Sequence, residues 1–278
     1  MNGVVTGASA GLGRELVRQL VRDRGMTVLA TARRLDRLEA LARELPEGKV
    51  LVEAGDLEDQ EFRDRLWRRA EGLPGGIDLL VNNAGLGNYA EFADQGQDVI
   101  RRMVEVNLMA LLDLTGKAIR HMKPRGSGQI LQVSSVLATI GQPYDAVYVA
   151  TKHAVNGLVK SLRYELRGTG VRVWAACPAR TESEFSIVAI GVGPNGTLPK
   201  GEPTEKVVRG IVRGLDRRAG FVYPSWTARA LTALAHWLPG PFDWCMARWS
   251  PGYFRSEINR ARHGPGSDPG PGPGPSAP

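Results

Sequence analysis

The chain has 278 residues, 42% of them hydrophobic, enough apolar material for one large domain and too much for a chain that stays disordered throughout. Its 36 Lys and Arg against 29 Asp and Glu give a formal charge of +7, yet the basic residues are dispersed. Arg63, Asp64, Arg65, Arg68 and Arg69 mix signs like a solvated helix face, and no basic stripe is interleaved with aromatics, so no nucleic-acid partner is expected.

In chain order, Met1-Asn2-Gly3-Val4-Val5-Thr6-Gly7 is already a strand and a turn, with no charged and apolar leader before it, so a cytoplasmic protein is expected. Short Val-, Leu- and Ala-rich runs at Gly3–Thr6, Met26–Thr31, Val50–Ala54, Ile77–Val81, Gln129–Val133 and Val171–Ala176 read as strands. Amphipathic stretches between them, Leu12–Arg24, Leu35–Glu44, Glu58–Glu71, Gln97–His121 and Asp145–Arg167, read as helices. Strand followed by helix, repeated this often, specifies a doubly wound α/β fold, a parallel sheet covered on both faces. Thr181–Pro203, rich in Gly and Pro, predicts a long mobile loop, for which a lid over a ligand is one use. A helix at Thr204–Asp216 and a short strand at Gly220–Tyr223 complete a domain over 1–223. An aromatic-rich helical extension (224–263) and a disordered Gly/Pro tail (264–278) follow. Cys177 and Cys245 lie in apolar stretches, which suits reduced thiols better than a disulfide framework or a metal site.

The turn after the first strand, Thr6-Gly7-Ala8-Ser9-Ala10-Gly11-Leu12-Gly13, places Gly7, Gly11 and Gly13 where backbone approaches a ligand and helix N–H groups face an anion, with a pyrophosphate as the natural occupant. The second strand ends in Thr31-Ala32-Arg33-Arg34 where an acidic residue would select NAD. Two guanidiniums there, with Ser9 as a further donor, favour the 2′-phosphate of NADP(H). Asp56-Leu57 follows the third strand, and Asp56 is either a partner for an adenine amino group or an ordinary helix N-cap. Asn82-Asn83-Ala84-Gly85 after the fourth strand suits the adenine-ribose face and the joining of neighbouring strands.

Tyr148 and Lys152 are four apart on one helix face, and Ser135 ends the preceding strand region. An ammonium and an oxidised nicotinamide both favour the phenolate, so Tyr148 can be general acid in reduction and general base in oxidation. Ser135 would donate to the substrate oxygen, and Lys152 would also hold the nicotinamide ribose. Tyr144 is a rival phenol with no base four residues on, expected to shape the substrate pocket instead.

Thr6-Gly7-x3-Gly11-x-Gly13, Asn82-Asn83-Ala84-Gly85, Ser135 and Tyr148-x3-Lys152 occur together, in this order and at these separations. With them the chain resembles the short-chain dehydrogenase/reductase family over roughly residues 1–190. The resemblance implies a seven-stranded doubly wound sheet, a nicotinamide cofactor, and Ser135, Tyr148 and Lys152 as the catalytic set. It adds Asn107 as the residue that holds a water in a proton relay to Lys152. It also marks a departure: where the family usually has Pro-Gly-x-Val-x-Thr, this chain has Pro178-Ala179-Arg180-Thr181-Glu182-Ser183. Pro178 keeps its place, either Thr181 or Ser183 supplies the hydroxyl for the nicotinamide carboxamide, and Arg180 touches an acidic substrate or reaches solvent.

Phe221–Phe254 holds Trp226, Trp237, Trp244 and Trp249 among Leu, Phe and Met residues, which suits a roof over an apolar substrate, a subunit contact or a peripheral membrane contact. The expected function is reversible hydride transfer between NADP(H) and a moderately apolar ketone, aldehyde or secondary alcohol, by a homodimer or homotetramer. The alternative is a dinucleotide-binding sensor or scaffold that keeps the fold without turnover.

Overall fold

A computed structural model describes residues 1–185, Ala189 and residues 201–263, with the side chains of the last helix described through Ser256. Most of the expected 181–203 loop and all of the Gly264–Pro278 tail lie outside the described residues. Seven parallel strands form one sheet: β1 (Asn2–Thr6), β2 (Thr27–Ala32), β3 (Val50–Ala54), β4 (Leu79–Asn82), β5 (Gly128–Val133), β6 (Val171–Ala176) and β7 (Phe221–Val222), in the spatial order β3-β2-β1-β4-β5-β6-β7. The order reverses between β1 and β4, and there the carboxyl ends of the strands open a crevice.

The strands are apolar on both faces because both are covered. One face packs Val5, Val28, Val81, Leu131 and Trp174 beneath α1 (Gly11–Arg24) and α2 (Leu35–Arg43). The other packs Val4, Leu29, Leu80, Ile130 and Val173 beneath α3 (Gln60–Glu71), α5 (Ala110–Met122) and α6 (Ala146–Glu165). Each such side chain taken fully out of water contributes about 1.5–3 kcal/mol. α4 (Gln97–Val104) runs into α5 through a π-helical turn, Glu105–Met109, so the predicted single helix carries a local widening. The chain continues through α7 (Thr204–Val212), α8 (Trp226–Trp237) and α9 (Pro239–His263).

Two readings of surface residues change. Arg63, expected on a solvated face, is only 5% exposed. Its guanidinium reaches Glu105 at 3.0 Å and Asp113 at 3.1 Å and donates to the Leu57 carbonyl, tying the loop after β3 to the π-turn. Asp56 does not cap α3. Asp59 takes that role by accepting from Glu61 N at 2.9 Å, while Asp56 accepts from Glu58 N in the turn before it.

Candidate active site

The glycine turn is built largely for its own packing. Gly7 lies at φ 67°, and a Cβ there would come within 2.9 Å of Ala84 Cα. A Cβ on Gly13 would run into the Gly7 carbonyl and the Asn83 amide, so Gly13 is small to let α1 close onto the turn, rather than to let a ligand approach. Asn83 knits the two strands: its Nδ2 donates to Thr6 O at 2.9 Å and its backbone N–H to Thr6 Oγ1 at 2.9 Å.

At the end of β2, Arg34 donates to Ser9 Oγ from Nε at 3.3 Å and from Nη2 at 3.1 Å. The expected pair therefore meets in space. Arg33 lies alongside, 3.9 Å from Asp56. The sequence did not reveal that Glu184 holds Arg34 at 3.1 Å and Arg37 at 2.7 Å. A carboxylate already occupies this cluster of guanidiniums, as an anionic ligand would.

From this cluster a cavity of about 1000 Å³ runs along the strand ends. Its walls include Gly7, Ser9, Gly11, Leu12, Arg33, Arg34, Asp56, Leu57, Asn83, Ala84 and Gly85 at one end. Ser135, Tyr148, Lys152, Pro178, Thr181 and Ser183 line the other. Thr181 and Ser183 both face it, their hydroxyls 3.5 Å apart.

Ser135 begins a 3-10 turn, Val136–Ala138, and Tyr148 and Lys152 share the inner face of α6, buried at 9% and 4% exposure. Burial raises the Tyr148 phenol well above its ordinary range, and the nearby Asp145 and Tyr89 add to this, while a hydrogen bond with Ser135 works the other way. Burial brings the Lys152 ammonium down to about 8, opposed by Cys177. Lys152 Nζ donates to the Val133 carbonyl at 2.8 Å and stands 5.4 Å from the Tyr148 ring centre.

Asn107 sits in the π-turn at 1% exposure. Its Oδ1 accepts from Leu86 N at 2.7 Å, and its Nδ2 donates to Leu86 O at 2.8 Å and Thr151 Oγ1 at 3.2 Å. The side chain thus clamps the loop after β4 to α6, next to Gly85.

The sequence profile of the short chain dehydrogenase family matches residues 2–188, the stretch that contains this entire strand-end arrangement up to Phe185. The chain belongs to the short chain dehydrogenase family. It is 34% identical over 248 residues to an uncharacterized oxidoreductase of Myxococcus xanthus, covering 88% of this chain and 95% of that one. It is 33% identical over 215 residues to the farnesol dehydrogenase of Aedes aegypti, covering 74% of this chain and 87% of that one. Among solved structures, a short-chain dehydrogenase from Sphingobium yanoikuyae in complex with NADPH superposes with a TM-score of 0.75 at 30% identity, covering 88% of this chain and 95% of that one.

Around Tyr148 the cavity of this short chain dehydrogenase is lined by aromatic and polar groups. Phe185 stacks on Tyr148 with ring centres 5.4 Å apart, and Tyr89, Gln142 and Asp145 add polar groups. Phe242, Met246 and Trp249 of α9 form an apolar wall, so the aromatic extension does line the cavity. Tyr144, expected to shape the pocket, is not part of its wall; its hydroxyl accepts from Arg255 Nε at 3.2 Å. Arg180 stands on the cavity wall, where it lies over the Phe254 ring at 5.9 Å and hydrogen-bonds Tyr89. Asp145 and Tyr89 escaped notice because an Asp before a helix reads as a cap and a lone Tyr in a loop carries no spacing signal.

Proposed function

We propose that this short chain dehydrogenase is an NADP(H)-dependent oxidoreductase acting on a bulky, predominantly apolar ketone, aldehyde or secondary alcohol. The observation that carries this reading is Tyr148, a buried phenol on the wall of a 1000 Å³ cavity that Ser135 also lines, one helical turn from Lys152. In reduction Tyr148 gives its proton to the carbonyl oxygen as negative charge develops there, and Ser135 donates a hydrogen bond to the same oxygen. In oxidation the proton returns to Tyr148. Lys152, held in place by its bond to Val133 O, offsets the negative charge that the phenolate carries after giving up its proton.

The residues present fit the cofactor. Ser9, Arg33 and Arg34 would hold a 2′-phosphate, and the α1 N-terminus at Gly11, Leu12 and Gly13 would face the pyrophosphate. Asp56 and Leu57 would border the adenine, Asn83, Ala84 and Gly85 the ribose, and Lys152, Pro178, Thr181 and Ser183 the nicotinamide side. Bound there, NADP(H) supplies or accepts the hydride. The NADPH complex of the Sphingobium relative supports the choice of dinucleotide, and the farnesol dehydrogenase supports an apolar alcohol. The test is Tyr148→Phe: NADPH titration should be unchanged while turnover on a carbonyl panel falls about a thousandfold or more, and retained turnover overturns the mechanism.

A second reading concerns the outer face of α8 and α9, where Trp226, Trp237 and Trp244 are 79%, 77% and 60% exposed. Exposed indoles beside Arg229 and Arg248 suit peripheral contact with an anionic lipid surface. Among the described residues no helix is long and apolar enough to cross a membrane. Flotation of the full chain with anionic liposomes should recover it in the lipid fraction, and recovery unaltered by Trp226→Ser with Trp237→Ser removes this reading.

A further inference from the structure

Asp145 occupies the N-cap position of α6, where a carboxylate ordinarily accepts from a first-turn N–H and stabilises the helix by about 1 kcal/mol. Here it makes no such bond. The side chain is 2% exposed, its Oδ1 is buried without a hydrogen-bond partner, and the residue lines the cavity beside Tyr148. Oδ1 receives no hydrogen bond in return for its burial, and burial pushes the carboxyl up to about 8.

The backbone before it is held in an uncommon conformation. Tyr144 lies at φ 64°, a left-handed value rare for a residue with a Cβ, pinned by Ala90 N donating to its carbonyl at 3.0 Å and by Arg255 on its hydroxyl. A forfeited cap, an unpartnered buried oxygen and a strained residue next to it, all at the wall of a cavity, are the marks of a group kept for a ligand.

Resting on the oxidoreductase reading above, we propose that Asp145 determines specificity by hydrogen-bonding a hydroxyl group carried by the substrate on the carbon next to the reacting carbonyl. Asp145 immediately precedes the first turn of α6 and Tyr148 stands on that turn three residues on, close enough for the carboxylate to act on the phenol, so a substrate group that reaches Asp145 sits near the oxygen that Tyr148 serves. A hydroxyl both donates and accepts, so it satisfies a carboxyl in either protonation state. The positive charges of Lys152 and Arg180 on the same cavity wall disfavour a cationic group. The remainder of the substrate is apolar, to match Phe185, Phe242 and Met246. The substrate class is a bulky α-hydroxyketone, or the corresponding vicinal diol.

Benzoin and deoxybenzoin, two aryl benzyl ketones that differ by this single hydroxyl, make the test. Calorimetric titration of each into the NADP-loaded protein should show benzoin binding about tenfold tighter or more. Asp145→Leu, close in volume and without polar atoms, should bring the ratio to within about twofold, and Asp145→Asn should keep most of it. A wild-type ratio near one, no binding of either ketone, or a ratio that survives Asp145→Leu overturns the proposal. NADPH consumption with both ketones is followed in parallel: binding preference without turnover would sink the oxidoreductase reading and leave the role of Asp145 standing.

Discussion

The Phe185 ring lies 5.4 Å from the Tyr148 ring at an angle of 49°, so a residue from the segment after β6 packs directly on the phenol that α6 presents. It belongs to the apolar group with Met103, Val147 and Leu137 that leaves Tyr148 9% exposed. Because burial is the largest influence raising the phenol, admitting water should lower it. Phe185→Ala is expected to move the pH–rate limb of alcohol oxidation downward by about one unit, since oxidation needs the phenolate. An unmoved limb would show that Phe185 does not control the phenol.

Arg34 divides its donors between Ser9 and Glu184. If this cluster receives a 2′-phosphate, Arg34→Ala should weaken NADPH about tenfold or more and leave NADH nearly unchanged. Glu184→Gln removes the competing carboxylate and should tighten NADPH a few-fold. Parallel fluorescence titrations with both dinucleotides check this, and equal losses for NADH and NADPH in Arg34→Ala would count against NADP selection.

Asp145 makes stability depend on pH in a defined direction. Its carboxyl titrates at about 8 in the folded protein and near the ordinary carboxylate value when unfolded. Between about pH 4 and 8 the folded state therefore holds a proton that the unfolded state has released, so its contribution is intact below about 4 and is lost as pH rises through 8. Tyr89, Tyr148, Lys152 and Arg180 share this wall, so the transition should be broad. Asp145→Asn should stabilise the protein by on the order of 1–3 kcal/mol at pH 8 and much less at pH 5. Urea denaturation at the two pH values measures it, and an equal gain at both would assign the effect to something other than this proton.

Gly13→Ala should cost about 2–4 kcal/mol, because the added methyl meets the Gly7 carbonyl and the Asn83 amide rather than a flexible side chain. The same displacement of α1 should weaken dinucleotide binding. A variant with wild-type urea midpoint would mean that the turn can open without loss.

Much of this was legible in the chain itself. The alternation of apolar runs with amphipathic stretches yielded all seven strands to within two residues at either end, because two-sided burial leaves a continuous apolar signature. Tyr148 and Lys152 were legible as a pair because helical spacing is local, and Ser9 with Arg34 because a turn and the end of the next strand must meet in a parallel sheet. The π-turn around Asn107 was not, since its residues have ordinary helix periodicity and its bonds to Leu86 and Thr151 reach distant segments.

By itself, then, the sequence determined the α/β class and the glycine turn, consequences of periodicity and short-range spacing, and through its resemblance to the family it pointed to Ser135, Tyr148 and Lys152. Tertiary structure alone decided that Arg63 is buried between Glu105 and Asp113, that Arg180 packs on Phe254, and that Asp145 turns from its helix into the cavity. The physical reason is that burial and hydrogen-bond partners are set by contacts between distant segments. Arg255, which holds the hydroxyl of Tyr144 just ahead of Asp145, is 111 residues away along the chain.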